Sequence, residues 1–205
     1  MVEQDAHNVQ VVGSNPTGRT IINEEEMKYV KVYDDVIDRE YCEHLKRKLY
    51  DNEDRLEKRD TELFTFNEMN LVKNKDLYQD EISDLTKLFE NCVDMYKKDC
   101  QIADWQFPET YGFEEIRHKC YKPDVGKFNP HVDAIGPDSM RRFLVFFLYL
   151  DEGEGGETIL YDQKTYVERK AGRLLMFPPT WTYPHAGAMP KGTDKNIIGS
   201  YLHYV

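Results

Sequence analysis

Short segments with strand character fill the second half of the chain, and they constrain its fold more than any other feature. From residue 114 onward, runs of β-branched and aromatic residues are separated by Gly, Pro, Asp and Asn, which favour turns. The predicted strands are residues 115–121, 127–133, 142–150, 157–161, 173–177, 182–187 and 196–204. Short strands at this spacing are typical of a double-sheet barrel or jelly roll.

The first half has a different pattern, with helices among fewer strands. We expect a strand at residues 27–32, a helix that begins after Asp38 and contains Tyr41, Cys42, Leu45 and Leu49, and a strand at residues 63–71. Apolar residues at three- and four-residue steps predict a longer helix over residues 77–100. The charged segment 51–62 reads as a solvated loop. The chain is therefore predicted to be α+β, with N-terminal helices packed on one sheet.

Residues 1–26 are polar and contain Gly13, Pro16 and Gly18 without a sustained helical or strand period. Such a segment is expected to be a flexible N-terminal arm. No boundary divides the remainder, so residues 27–205 are predicted to form a single domain.

Composition excludes several classes of protein. An apolar content of 40%, with 13% aromatic residues, is sufficient for a packed core, and the most apolar run, residues 143–150, has the length of a strand and not of a membrane span. A formal charge of -11 disfavours nucleic-acid binding. Without a basic, apolar leader at the start of the sequence, the expected location is cytoplasmic. The cysteines lack CxxC spacing and are expected to be reduced and mostly structural: Cys42, Cys92, Cys100 and Cys120.

Three residues form a candidate metal site. His131 and Asp133 are two positions apart, so on a strand they would point to the same side, and His185 follows another strand-like run. Two imidazoles and one carboxylate make the facial triad that suits Fe(II). Taken singly, a His-x-Asp pair can arise by chance and His185 can be an ordinary loop histidine. Lys195 favours the metal interpretation, because its ammonium could enter an apolar barrel only to meet an anion such as a carboxylate-bearing cosubstrate.

Residues 121–201 resemble the catalytic core of the prolyl 4-hydroxylases in the Fe(II)/2-oxoglutarate dioxygenase superfamily. The resemblance rests on matching motifs in the same order: Tyr121 followed by His131-Val132-Asp133, the strand Arg142 to Leu150, the turn Gly155-Gly156-Glu157-Thr158, the strand Arg173 to Pro178, and His185 with Lys195 ten residues later.

This resemblance implies a double-stranded β-helix core in which His131, Asp133 and His185 hold Fe(II). It also implies 2-oxoglutarate as cosubstrate, O2 as oxidant and ascorbate as reductant. Lys195 would pair with the distal carboxylate of 2-oxoglutarate and Tyr149 would hydrogen-bond it, unless Tyr149 is a plain core aromatic. Tyr121 would face the cosubstrate or the substrate.

Three further residues are candidates for substrate binding. Arg142 matches a position that faces the substrate pocket in the family, the alternative being an arginine exposed to water at the start of a strand. Trp181 could line the entrance or simply pack. Tyr201 stands where the prolyl 4-hydroxylases usually have Trp, which alters the pocket. Residues 51–62 and 134–139 are candidates for a mobile cover, or are plain solvated connections.

The expected function is hydroxylation of an unactivated C–H bond, with peptidyl proline as the leading substrate and release of succinate and CO2. A dioxygenase of a free amino acid or small metabolite would use the same core. A non-catalytic barrel that binds a metal or a partner is the third possibility. The expected partner is a proline-containing protein or peptide, or a small molecule; the sequence does not determine the oligomeric state.

Overall fold

The computed structural model describes residues 28–205, so the predicted arm and the first residue of the first predicted strand lie outside the described part of the chain. Two short 3-10 helices, Glu53–Arg55 and Asp104–Gln106, accompany the main elements. The main elements are β1 Lys31–Tyr33, α1 Arg39–Tyr50, β2 Glu57–Asp60, β3 Phe64–Asn70, α2 Lys75–Asp99, β4 Tyr111–Phe113, β5 Arg117–Tyr121, β6 Lys127–His131, β7 Arg142–Tyr149, β8 Thr158–Leu160, β9 Thr165–Val167, β10 Arg173–Phe177, β11 His185–Gly187 and β12 Lys195–Tyr204.

The strands pair antiparallel in one sheet with the order β1-β10-β7-β12-β5-β3-β6-β11-β8-β9, and β2 and β4 add to β3 and β12. Val145 and Leu175, near one end of this order, share an apolar cluster with Leu160 and Val167 near the other end. Two ends of a sheet can meet in this way only if the sheet curls over on itself. The structure therefore confirms an α+β chain with a curled antiparallel sheet, consistent with a jelly-roll-like fold.

A second apolar cluster joins the two helices to the opposite face of the sheet. α1 begins where the sequence predicts, because the Asp38 carboxylate accepts a hydrogen bond from the Tyr41 backbone N–H at 2.7 Å. α2 carries Phe89, whose ring stacks on Phe146 of β7 with centroids 4.8 Å apart. Neither α-helix in residues 28–205 is long and apolar enough to cross a membrane. The four cysteines are buried and unbridged.

Three expectations about the strands are wrong. The segment predicted to be a solvated loop contains β2, which pairs with β3 while exposing all four of its side chains, so a high charge density does not prevent an edge strand. β4 and β9 were not predicted, because three residues are too few to show the alternation of apolar and polar residues that identifies a strand. β6 ends at His131 and not at Asp133, because the backbone N–H groups of Asp133 and Ala134 both donate to the Pro179 carbonyl.

Candidate metal centre and cosubstrate pocket

The structure brings the three predicted metal ligands together inside the curled sheet. His131 at the end of β6 and His185 at the start of β11 are directly opposite each other in the ladder. Asp133 reaches them from the loop after β6, held there by Pro179. One donor atom from each of the three residues lies within 4.8 Å of the others. The sequence suggested that one continuous strand carries both His131 and Asp133. The structure shows that the site does not depend on such a strand.

Hydrogen bonds orient both imidazoles. His131 Nδ1 is 2.7 Å from the carbonyl of Asn129, and His185 Nδ1 is 3.1 Å from the carbonyl of Tyr183. A carbonyl can only accept, so Nδ1 carries the proton in each ring and Nε2 has a free lone pair. Backbone carbonyls commonly orient metal-binding histidines in this way.

Three buried acceptor atoms are left facing one another. His131 Nε2, His185 Nε2 and Asp133 Oδ2 are buried and lack a hydrogen-bond partner among the described residues. Nε2 of His131 lies 3.3 Å from Asp133 Oδ1, and Nε2 of His185 lies 3.5 Å from Asp133 Oδ2. Buried acceptors without donors are costly, and a divalent cation would satisfy all three. The residues present thus fit a metal ion with two nitrogen ligands and one oxygen ligand.

The protonation states also suit metal binding. Burial lowers the pKa of His185 to about 4, against the opposing attraction of Asp133, so this imidazole is neutral at pH 7. Burial by itself would raise the pKa of Asp133, but the surrounding side chains, among them the Lys119 ammonium, lower it. A neutral imidazole and an ionised carboxylate are the forms that bind metals. Phe128 stacks on His131 at 3.7 Å between centroids and Phe177 meets His185 edge-on at 4.9 Å, which limits the approach of water.

Lys195 lines a pocket together with the two histidines of the candidate metal site. Only 2% of Lys195 is exposed, and burial lowers its pKa from the ordinary 10.5 to about 7. Its Nζ lies 5.0 Å from the ring centre of Tyr121 and 5.7 Å from that of Tyr149, and no carboxylate in residues 28–205 forms an ion pair with it. The hydroxyl of Tyr149 is 2.6 Å from Thr158 Oγ1. The pocket is lined by Lys119, Tyr121, Phe128, His131, Phe147, Thr158, His185, Ala186, Gly187, Lys195 and Ile197.

A buried arginine that sequence reasoning missed holds the strand that carries Lys195. Arg169 donates to Asp151 Oδ1 at 3.2 Å and to the carbonyl of Asp194 at 2.7 Å. Asp151 Oδ2 in turn accepts two hydrogen bonds of 2.9 Å from Asn196. The residues on either side of Lys195 are thereby fixed. No local pattern marks Arg169, because its partners come from distant parts of the sequence.

The predicted substrate residues occupy different positions around the metal ligands. Arg142 forms a bidentate pair with Glu114 at 2.7 and 2.8 Å, and its guanidinium lies 4.1 Å from the ring centre of Tyr201. Tyr201 is buried, and burial together with the Asp133 carboxylate raises its pKa. Trp181 is 80% exposed, two residues beyond Pro179. The alternative of a fully water-exposed Arg142 does not hold, and Trp181 is not packed into the core. Glu114 was not predicted from the sequence.

Comparisons with known proteins agree with this geometry. Residues 117–203 match the sequence model of the family described as "2OG-Fe(II) oxygenase superfamily". No curated protein matches the chain.

Solved structures provide matches over most of the chain. Viral collagen prolyl hydroxylase from Paramecium bursaria Chlorella virus-1, in its 2-oxoglutarate complex, is 18% identical with a TM-score of 0.67, covering 88% of this chain and 98% of its own. The Trichoplax adhaerens prolyl hydroxylase, in complex with a hypoxia-inducible-factor peptide fragment, is 14% identical with a TM-score of 0.67 and coverages of 90% and 87%. A Pseudomonas putida prolyl-4-hydroxylase is 14% identical with a TM-score of 0.61 and coverages of 90% and 97%. At these identities the likeness shows a shared fold.

Proposed function

Because residues 117–203 match the sequence model of the 2OG-Fe(II) oxygenase superfamily, we propose that this chain is an Fe(II)- and 2-oxoglutarate-dependent dioxygenase that hydroxylates peptidyl proline. The observation that carries the proposal is that, within residues 28–205, three buried acceptors without hydrogen-bond partners converge next to a buried lysine without an ion-pair partner. The curled sheet around them is then the double-stranded β-helix of this superfamily.

In this proposal His131, Asp133 and His185 hold the iron. Three protein ligands would leave the iron with open positions for cosubstrate and O2. When bound, Fe(II) supplies the redox chemistry that couples conversion of 2-oxoglutarate and O2 to succinate and CO2 with hydroxylation of the substrate. In the neutral rings, the hydrogen bonds to Asn129 and Tyr183 place the proton on Nδ1 and leave Nε2 of both imidazoles available to the metal.

Lys195 is assigned to the distal carboxylate of 2-oxoglutarate. Its desolvated ammonium lacks an anion within the described chain, and an anion that arrives with the cosubstrate would restore the charged form. The Tyr149 hydroxyl, close to Thr158, would add a hydrogen bond, and Tyr121 would form the wall between Lys195 and the metal. A passive barrel has no evident use for such a lysine, which favours an enzyme over a binding module.

Proline-containing polypeptides are the proposed substrates. Arg142 and Tyr201 would form the wall that contacts the substrate next to Asp133, and the exposed Trp181 would contact it at the entrance. Two of the similar structures are named as a collagen prolyl hydroxylase and a prolyl hydroxylase with a bound peptide. Ascorbate would serve to keep the iron reduced.

The test is turnover of 2-oxoglutarate to succinate under air with Fe(II) and ascorbate, with and without a proline-rich peptide. We expect turnover that the peptide stimulates, a +16 Da product by mass spectrometry, and loss of both in His131→Ala. Lys87→Met, on the exposed side of α2, is the control and should behave as wild type.

Two results would contradict the proposal in different ways. Turnover stimulated by free amino acids or other small acceptors, but by no peptide, would identify a small-molecule dioxygenase. An absence of turnover in protein with measured iron in its site would identify a non-catalytic barrel.

A further inference from the structure

A second lysine faces the same pocket as the metal ligands. Lys119 lies on β5 two residues before Tyr121, so the two side chains point to the same side of the sheet. Both line the pocket that contains His131 and His185. Because Lys119 is two residues from Tyr121, its place in the pocket could have been predicted from the sequence. A lysine on a strand, however, is more often exposed to solvent.

The carboxylate residue that is paired with Lys119 in the β3–β5 ladder already lies close to two arginine side chains. Lys119 is directly opposite Glu68 of β3, a buried residue. Glu68 Oε1, however, lies 3.3 Å from Arg59 Nη2 and 3.7 Å from Arg117 Nε. Within residues 28–205 Lys119 forms no ion pair, and its Nζ lies over two aromatic rings, 5.2 Å from the centre of Phe66 and 5.8 Å from that of Phe128.

Lys119 and Lys195 occupy different parts of the pocket. Lys195 is buried, and its Nζ lies near the rings of Tyr121 and Tyr149. The Lys119 ammonium lies instead beside the rings of Phe66 and Phe128, and the Phe128 ring also stacks on His131. One lysine is enough for the distal carboxylate of 2-oxoglutarate. The second is left for a group that arrives with the substrate.

We propose that Lys119 binds a carboxylate of the substrate, so that the preferred substrate is a peptide with Asp or Glu beside the target proline. This inference rests on the proposed function. Burial favours a singly charged carboxylate over a doubly charged phosphate, because taking the more highly charged group out of water costs more. Asp133 and Glu68 attract the Lys119 ammonium, and Arg117 and Arg142 repel it. The acidic net charge of the whole chain does not prevent the contact, because salt screens charges beyond about 8 Å at physiological ionic strength.

Matched peptides test the inference by binding, without turnover. Two proline-containing peptides that differ only in Asp or Asn beside the proline would be titrated by fluorescence anisotropy into protein loaded with Mn(II) and 2-oxoglutarate. A charge-assisted contact predicts about tenfold tighter binding of the Asp peptide to wild type. The preference should disappear in Lys119→Met, persist in Lys87→Met, and turn toward a Lys-containing peptide in Lys119→Glu.

Several outcomes would overturn the inference. Equal binding of the Asp and Asn peptides to wild type would do so, as would binding of neither peptide, or a preference that survives in Lys119→Met. A 2-oxoglutarate dissociation constant raised by Lys119→Met as much as by Lys195→Met would assign Lys119 to the cosubstrate. If wild type meanwhile converts 2-oxoglutarate to succinate, the dioxygenase assignment stands and only the acidic substrate is lost. If it does not, the proposed function has failed as well.

Discussion

Replacing Lys195 by Met should stabilise the metal-free protein while it weakens cosubstrate binding. The pKa of Lys195 falls from 10.5 to about 7 on folding, because burial disfavours its charge. Between these values the unfolded chain binds more protons than the folded chain, so the penalty is nearly complete at pH 7 and decreases as the pH rises toward 10.5. At 1.36 kcal/mol per pKa unit, Lys195 costs about 4 kcal/mol at pH 7 and about 1 kcal/mol at pH 9.5.

The assay is urea unfolding of the metal-free protein at pH 7.0 and 9.5, with Lys87→Met as control. We expect the free energy of unfolding of Lys195→Met to exceed that of wild type by about 4 kcal/mol at the lower pH and about 1 kcal/mol at the higher pH. A packing effect of the new methionine would be the same at both values. An equal gain at both pH values, or a loss at pH 7, would refute the argument that burial of charge dominates. In the Mn(II)-loaded protein, the same substitution should weaken 2-oxoglutarate binding roughly ten- to hundredfold, as expected for a lost charge-assisted contact.

Three other outcomes follow from the geometry of the site. His131→Ala should abolish Mn(II) binding measured by calorimetry, and retention of wild-type affinity would exclude this residue as a ligand. Arg142→Met and Glu114→Gln should each destabilise the fold, with a coupling energy of about 1.5 to 3 kcal/mol in a double-mutant cycle, whereas additive effects would show that their bidentate contact contributes nothing. Gly156→Ala should weaken 2-oxoglutarate binding measured by calorimetry, because φ is +78° at this position and a Cβ would lie 3.1 Å from Lys195 Cδ. Unchanged binding would mean that the turn can accommodate the Cβ without displacing Lys195.

Local sequence patterns anticipated the elements that depend on local forces. The helix after Asp38 begins where its cap permits, and the longer helix, predicted at residues 77–100, spans Lys75–Asp99. β7 and β10 were recognisable because buried central strands have continuous apolar sequences. β2 was missed because its side chains are exposed and charged, and its pairing involves only the backbone.

Partners far apart in sequence were harder to anticipate. His131, Asp133 and His185 could be grouped because metal chemistry requires few residue types and the resemblance indicated their spacing. Arg169 could not be found, because its role depends on one carboxylate and two carbonyls from two other loops, those before β8 and before β12. Glu114 was missed for a similar reason, since only the folded chain places it beside Arg142.

The opposition of His131 and His185 in the ladder has a consequence for biosynthesis. β7, β8, β9 and β10 all lie between these two residues in the chain, and Lys195 follows later still. A nascent chain therefore cannot assemble the three-ligand site until nearly all of its sheet has emerged and paired. Metal loading should therefore follow folding. A metal that binds only the completed site will stabilise the folded state in proportion to the logarithm of the free metal concentration. In a cell poor in that metal, the apoprotein would be the form most exposed to proteolysis.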